Sequence, residues 1–257
     1  MCFDLDSRPP ITPIAGGALD GTTMTLTSAD GTAFGAFAAR ASHPTGAGIL
    51  ILPDVRGLHA YYEELAFRFA ENGIDAVAID YFGRTAGISG RGDDFEYGPH
   101  VGQTRWDTLT ADIRAGAAAL GTLRSEDAAP SHRFVMGFCM GGRLAFLSGT
   151  LGLGLAGVIG FYGWPTGGSG SGSPAPADVA DRIEAPVLAV YGGADPNITE
   201  EVRGAFDAAL DRAGAERRTI VYPGAPHSFF DRKAAEHADA SAAAWAETLG
   251  FIKAHAN

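Results

Sequence analysis

The residues best suited to chemistry lie at 137–142, where the sequence GFCMGG contains the pattern G-x-C-x-G. An apolar run precedes this segment and an Ala/Leu-rich run follows it, which predicts a strand, a tight turn and a helix. The residue on such a turn has a strained backbone, so its neighbours, here Gly137 and Gly141, must be almost without side chains. The pattern therefore predicts that Cys139 is a nucleophile lifted out of the sheet.

Cys139 would then lie at the N-terminus of a helix, where unpaired N–H groups and the helix dipole favour a thiolate. The backbone N–H of Met140 would point toward an oxyanion that develops on an attacked carbonyl. The alternative is a buried structural cysteine beside a glycine turn, since free cysteines are often buried and inert.

Two further residues complete a possible triad. Asp195 lies in the sequence GGAD and His227 in PHSF, and each follows its own predicted strand. The order nucleophile, acid, histidine is that of α/β-hydrolases. His227 would take the thiol proton and Asp195 would orient the imidazole. Separately, His227 could be a surface histidine and Asp195 a turn residue, and the hypothesis depends on finding them together.

The surrounding chain alternates apolar strands with amphipathic helices. A hairpin is predicted at 22–27 and 33–39. Further strands are predicted at 48–52, 74–79, 133–136, 155–162, 187–191 and 218–222, with helices near 62–73, 106–120, 143–147 and 199–214 and at the C-terminus. This alternation predicts a single α/β domain with a mostly parallel sheet covered by helices on both faces.

In such sheets ligands bind outside the carboxyl ends of the strands. The candidate residues all follow predicted strands and should share that edge: Asp54, Arg84, Cys139, Asp195 and His227.

Three segments lack periodicity. Residues 1–21 are rich in Pro, Gly and Asp and are predicted to form an irregular N-terminal arm, and residues 85–103 a long loop. Residues 163–177 are rich in Gly, Ser and Pro, which predicts a flexible surface loop rather than a domain linker. Trp164, Phe138 and Tyr62 could line a pocket, although aromatic residues near strand ends more often belong to the core.

Composition limits the function. The 257 residues carry a formal net charge of −11, which argues against partners such as nucleic acid or anionic membranes, since these need a basic surface. The two cysteines, Cys2 and Cys139, do not make a disulfide framework. We find neither a signal-peptide pattern nor a membrane-spanning run, so a cytoplasmic location is expected. The seven histidines show no zinc spacing, and no metal site is predicted.

From about residue 45 to the C-terminus, the sequence resembles the dienelactone hydrolase family of cysteine α/β-hydrolases. The resemblance is carried by GFCMGG at 137–142, GGAD at 192–195, HSF at 227–229, PDVRG at 53–57 and DYFGR at 80–84. It implies hydrolysis of an ester or lactone through a thioester, without a metal or an organic cofactor.

The resemblance also implies roles for three other residues. Asp54 stands where the family has a glutamate that interacts with the thiol, and it is one methylene shorter. The N–H of Val55 matches the second oxyanion donor. Arg84 matches an arginine that pairs with a substrate carboxylate, whereas Asp231 and Arg232 depart from the family pattern after HSF, which disfavours a strongly anionic substrate. Asp54 could instead be a turn carboxylate, and Arg84 a solvated or salt-bridged arginine.

The sequence thus predicts a cysteine hydrolase of a small ester or lactone. Two alternatives stay open: a general carboxylesterase or thioesterase, and a non-catalytic protein that binds a ligand or senses oxidants through Cys139. The sequence leaves the oligomeric state undetermined.

Overall fold

The computed structural model describes residues 8–92, 94–125, 128–230 and 234–256, which contain one eight-stranded sheet. The strands are β1 (Ala18–Thr27), β2 (Ala33–Ala41), β3 (Ala47–Leu52), β4 (Asp75–Ile79), β5 (His132–Phe138), β6 (Gly157–Phe161), β7 (Val187–Gly192) and β8 (Arg217–Tyr222). Their spatial order is β1-β2-β4-β3-β5-β6-β7-β8. The strands from β3 to β8 are parallel to one another, and β1 and β2 pair antiparallel at one edge. The mostly parallel sheet predicted from the sequence is confirmed.

Helices cover both faces of this sheet. They are α1 (Ala60–Glu71), α2 (Gly83–Ala86), α3 (Tyr97–Val101), α4 (Trp106–Gly121), α5 (Met140–Ser148), α6 (Glu200–Ala213) and α7 (Ala238–His255), and a 3-10 helix covers Pro176–Arg182. Strand β6 shows the two faces. Gly157 lies against the ring of Phe251 in α7, and Gly160 lies against the ring of Phe146 in α5. Because successive residues of a strand face opposite sides, these two contacts place α7 and α5 on opposite faces.

Local sequence signals set the helix boundaries. Helix α1 buries the predicted apolar stripe, which includes Tyr62, Leu65 and Phe69. Helix α6 begins after Thr199, whose hydroxyl accepts a hydrogen bond from the N–H of Val202 at 3.4 Å. It ends at Gly214, whose φ of 69° is the left-handed conformation that glycine adopts most easily.

Two predicted irregular segments contain more structure than their composition suggests. Strand β1 begins at Ala18, so the irregular arm is shorter than the predicted 1–21, and residues 1–7 lie outside the described ranges. The predicted loop at 85–103 includes the end of α2 and all of α3. Both helices are too short to produce a recognisable helical period in the sequence.

The segment after α2 is fastened to the sheet by a buried ion pair. The guanidinium of Arg91 binds the carboxylate of Asp80 at 2.8 Å and donates to the carbonyl of Gly87 at 2.7 Å. Asp80 also accepts hydrogen bonds from the N–H groups of Leu58 and Phe82, at 3.0 and 2.8 Å. One carboxylate therefore joins the loops that follow β3 and β4.

We predict that Arg91→Leu destabilises the fold by about 3–5 kcal/mol, because it leaves Asp80 charged and buried without its partner. The two side chains are each 3% exposed, so water cannot replace the lost interaction. Urea unfolding followed by circular dichroism measures the change, with Arg105→Leu, at an exposed arginine, as the control. A loss below about 1 kcal/mol, the value typical of surface pairs, would contradict the role given to this pair.

Candidate active site

Cys139 lies on a strained turn between β5 and α5. Its backbone has φ 53° and ψ −112°, outside the usual regions for a residue with a side chain, and its thiol is half-buried. A Cβ added at Gly137 would overlap the carbonyl of Gly141, and one added at Gly141 would overlap the carbonyl of Leu52. The two glycines are therefore a steric requirement of the turn, as the G-x-C-x-G pattern predicts.

His227 and Asp195 form a hydrogen-bonded pair across two different loops. Nδ1 of His227 donates to Oδ2 of Asp195 at 2.5 Å. The other carboxylate oxygen of Asp195 accepts from the N–H groups of Asn197 and Ile198, at 2.9 and 3.3 Å. The two loops approach so closely that a Cβ at Gly192 would overlap the carbonyls of residues 225 and 226. The Asp195 carboxylate, itself held by two backbone N–H groups, therefore fixes the orientation of the His227 imidazole.

The charge state of Asp195 is set by opposing effects. Its burial disfavours the carboxylate, but the hydrogen bond from His227 and those from two backbone N–H groups outweigh this, so the pKa of Asp195 is lowered. The carboxylate is therefore ionised at neutral pH and can stabilise a protonated imidazole.

Cys139 and His227 line the same cavity, which has a volume of about 230 Å³. Its other walls are formed by Met140, Arg143, Tyr162, Trp164, Gly168 and Ser169. The ring of Tyr162 lies 4.9 Å from the imidazole of His227, centre to centre. Tyr162 and Arg143 were not among the predicted site residues. Tyr162 directly follows β6, so its place at the carboxyl end of a strand was a signal that could have identified it. Trp164 lines the cavity, whereas Phe138 and Tyr62 belong to the core.

Asp54 lies in the loop after β3, beside the cysteine turn. Strand β3 pairs with β5 so that Leu52 is opposite Gly137. The Asp54 side chain is fully buried, and its Oδ1 accepts from the N–H of Arg56 at 3.0 Å. The neighbouring Val55 is half-buried.

The buried Tyr81 lies beside this loop, and its pKa is affected by the surrounding carboxylates. The hydroxyl of Tyr81 donates to the carbonyl of Pro53 at 2.8 Å. Burial raises the pKa of Tyr81 well above its usual value, and the nearby carboxylates of Asp54 and Asp80 add to the effect.

Comparison with known proteins shows the family of this chain. The family model described as "Dienelactone hydrolase family" matches residues 34–256. The chain belongs to the dienelactone hydrolase family. It is therefore a hydrolase of the dienelactone hydrolase type, with the α/β-hydrolase fold predicted from its sequence.

Curated relatives of this family carry a matching name. A protein of Escherichia coli O157:H7 named "Putative carboxymethylenebutenolidase" is 30% identical over 213 residues, which cover 80% of this chain and 76% of the relative. A protein with the same name from Saccharolobus solfataricus is 26% identical over 255 residues, covering 87% of this chain and 95% of the relative.

Solved structures show the same fold. A crystal structure described as "Putative Dienelactone Hydrolase" from Klebsiella pneumoniae superposes with a TM-score of 0.77 at 24% identity. The match covers 91% of this chain and 99% of the solved one. A puromycin-hydrolysing peptidase of Mycobacterium tuberculosis gives a TM-score of 0.73 at 18% identity, and this chain covers 40% of it.

Arg84 is placed differently from the expectation based on the dienelactone hydrolase family. Its guanidinium binds Asp112 of α4 at 2.6 Å and Asp30 of the β1–β2 turn at 2.8 Å. Arg84 is the second residue of α2, and its side chain reaches toward α4 and the hairpin. It is not among the described residues that line the cavity. In the structure Arg84 makes the ion pairs of the salt-bridge alternative, and its substrate-binding role stays a prediction.

Other features of the expected site have different outcomes. Cys2, Asp231 and Arg232 lie outside the described residues. Over the ranges that the structure does describe, no cluster of three or more His, Cys, Asp or Glu side chains could hold a metal ion. In these ranges no helix is both long and apolar enough to cross a bilayer.

We predict that Arg84→Gln lowers stability by about 1–3 kcal/mol without changing discrimination between anionic and neutral esters, because Arg84 holds Asp112 rather than substrate. The measurements are urea unfolding and the ratio of kcat/KM for p-nitrophenyl hemiglutarate and p-nitrophenyl valerate. Arg40→Gln, which removes an exposed pair with Asp20, is the matched control. A selective loss of activity on the hemiglutarate would restore the substrate-binding role.

His59, which lies after the Asp54 loop, makes stability depend on pH. Its burial, together with the charge of Arg56, lowers the pKa of His59 to about 3, from an ordinary value of 6.5. The folded protein keeps His59 neutral, whereas the unfolded chain takes up a proton below pH 6.5. Stability is therefore lost as pH falls from 6.5 toward 3.

We predict that wild type loses about 1.7 kcal/mol more stability than His59→Gln between pH 6.5 and pH 5, because the loss for each pH unit rises from half of about 1.4 kcal/mol to that full value over this range. Urea unfolding at both pH values measures the difference. His43→Gln, at an exposed position, is the control. Parallel losses in wild type and His59→Gln would show that this histidine does not contribute.

Proposed function

We propose that this protein hydrolyses a small ester or lactone through a thioester on Cys139. The observation that carries the proposal is that one cavity contains both the strained cysteine turn and the histidine of a His227–Asp195 pair. Nucleophile, base and orienting carboxylate then occur on three different loops at the carboxyl ends of parallel strands, which is the arrangement that triad chemistry needs.

In the first step, His227 accepts the proton of the thiol and the sulfur attacks the substrate carbonyl. The oxyanion that forms is held by the backbone N–H groups of Met140 and Val55. Met140 is the first residue of α5, so its N–H has no partner within the helix. Collapse of this intermediate breaks the bond to the leaving alkoxide, which receives the proton from His227.

In the second step, His227 takes a proton from water and the resulting nucleophile attacks the thioester. Collapse releases the carboxylic acid, and the proton returns to the sulfur from His227. Asp195 stays ionised throughout and stabilises the imidazolium in both steps. This route uses only protein groups and water, so it requires no cofactor.

Asp54 has an auxiliary role in this proposal. Its buried carboxylate lies in the loop next to the cysteine turn and would influence the ionisation of the thiol through its charge. Compared with the glutamate implied by the family resemblance, its shorter side chain is held by the N–H of Arg56, which limits its reach toward the sulfur.

The substrate is proposed to be a small, uncharged ester or lactone. Because Arg84 is occupied by two carboxylates, the position that the family resemblance assigns to a substrate carboxylate is filled. This observation favours the general carboxylesterase alternative over a strict dienelactone hydrolase. Since the thiol of Cys139 must be reduced to act, we propose that the protein works in the cytoplasm. Its net charge of −11 is consistent with a small-molecule substrate rather than nucleic acid.

The test is hydrolysis of p-nitrophenyl acetate and of a dienelactone by wild type and by Cys139→Ala. We expect wild type to hydrolyse the acetate faster, and Cys139→Ala to lose at least about a thousandfold on both substrates. Cys2→Ser, which changes the only other cysteine, serves as the control and should keep full activity.

Other results would reject parts of the proposal. Equal activity of Cys139→Ala and wild type would remove Cys139 from the mechanism. Faster opening of the dienelactone would favour the specialised enzyme. Absence of turnover combined with sulfenic acid formation on Cys139 by peroxide would support the non-catalytic, redox-sensing alternative.

A further inference from the structure

Arg143 is a buried cation next to the cysteine turn. It lies one helical turn after Cys139, and its own N–H donates to the Cys139 carbonyl at 3.2 Å in the first turn of α5. The residue is 6% exposed and lines the cavity with Cys139 and His227. Its position relative to the sulfur is therefore set by the helix itself.

The guanidinium of Arg143 binds the backbone of residues 163–174, which we call the wall segment. It donates to the carbonyls of Trp164 at 3.0 Å, Gly167 at 2.8 Å and Pro174 at 2.8 Å. It also donates to the carbonyl of Thr166 at 3.2 Å and to the hydroxyl of Ser173 at 3.1 Å. All three guanidinium nitrogens have acceptors, which come from both ends of the wall segment.

Further contacts fix the wall segment against α5. A Cβ at Gly142 would lie 2.9 Å from Gly163, and one at Gly163 would lie 2.6 Å from the N–H nitrogen of Arg143. Within the segment, the Ser169 hydroxyl bonds to the hydroxyl of Ser173 at 2.8 Å. The Gly/Ser-rich composition predicts a flexible loop, whereas in the structure the backbone of the wall segment is hydrogen-bonded to Arg143.

The wall segment supplies one side of the cavity. Trp164, Gly168 and Ser169 line it, and Trp164 is 48% exposed. The donors of Arg143 are bound to backbone carbonyls and to the Ser173 hydroxyl, so its guanidinium has no free pair of donors for a substrate carboxylate. The wall segment thus contributes the indole of Trp164, rather than a free guanidinium, to the cavity that contains Cys139.

We propose that Arg143 is a positioning residue that determines substrate selectivity: it fixes the wall segment so that Trp164 binds an apolar, uncharged substituent of the substrate. This inference rests on the proposed function and adds the part of the substrate that is recognised. Arg143 acts through the wall segment and does not touch the reacting atoms.

Lysine distinguishes this role from a simple effect of charge. A lysine at position 143 keeps the positive charge near the thiol, but its three donors cannot reproduce the planar fork that binds carbonyls from both ends of the wall segment. If geometry matters, Arg143→Lys and Arg143→Gln should behave alike. If charge matters, Arg143→Lys should resemble wild type.

The activity test uses two esters with the same leaving group, p-nitrophenyl acetate and p-nitrophenyl 3-phenylpropanoate. We expect Arg143→Lys to raise KM for the phenylpropanoate by about tenfold to a hundredfold, because a small displacement of the wall segment removes the indole contact. The acetate lacks this substituent, so its kinetic parameters should change less than those for the phenylpropanoate. Trp164→Ala should reproduce the same selective loss.

Two measurements do not depend on turnover. Hydrogen exchange of the amides in the wall segment should accelerate in Arg143→Lys. In a Cys139→Ala background, the affinity for the ketone 4-phenylbutan-2-one, followed by tryptophan fluorescence, should fall when Arg143→Lys is added. The control is Arg133→Lys, since Arg133 donates to a loop carbonyl at the other end of β5.

The outcomes separate the two proposals. Faster exchange with weaker ketone binding supports the inference, even if no ester is hydrolysed and the proposed function fails. Unchanged exchange in Arg143→Lys would overturn the positioning role. Faster exchange with unchanged ketone affinity, or equal loss on both esters, would overturn the selectivity role, and rescue by lysine alone would assign the effect to charge.

Discussion

The site depends on how closely the first turn of α5 approaches the carboxyl ends of β3 and β5. Gly137 and Gly141 permit this approach, since any side chain at either position would overlap a backbone carbonyl. The same approach fixes the backbone of Cys139 in its strained conformation and brings the Asp54 loop beside it. Strain of this kind persists only where surrounding contacts determine it fully. Here the contacts are backbone against backbone.

Two arginines extend this rigid region into loops that have few apolar residues. Arg91 joins the segment after α2 to Asp80, and Arg143 joins residues 163–174 to α5. Their chemistry differs. Arg91 neutralises a buried carboxylate, whereas Arg143 satisfies uncharged carbonyls and remains a buried cation, so burial lowers the pKa of its guanidinium. In both cases one planar group with several donors replaces the hydrophobic packing that a Gly/Ser-rich loop cannot supply.

The sequence predicted the elements whose signal is local. Alternating strands and helices, the helix cap at Thr199 and the glycines of the cysteine turn each follow from a few neighbouring residues, and the structure contains all of them. The meeting of Asp195 and His227 could be expected because both follow parallel strands. The partners of Arg84 and Arg143 could not be predicted, since they lie 20 or more residues away and those of Arg143 are mostly carbonyls. A carbonyl is common to every residue, so no side-chain pattern marks it as the partner of a particular arginine.

The binding of Arg143 to main-chain carbonyls affects how the cavity could change during evolution. Because most of the bonds from Arg143 go to main-chain oxygens, the fastening of residues 163–174 is largely independent of the side chains carried there. New side chains could appear opposite the sulfur while the nucleophile and its histidine stay where they are. The fold thus separates an exchangeable recognition surface from a fixed reaction centre, which would allow one scaffold to acquire new substrates by few substitutions.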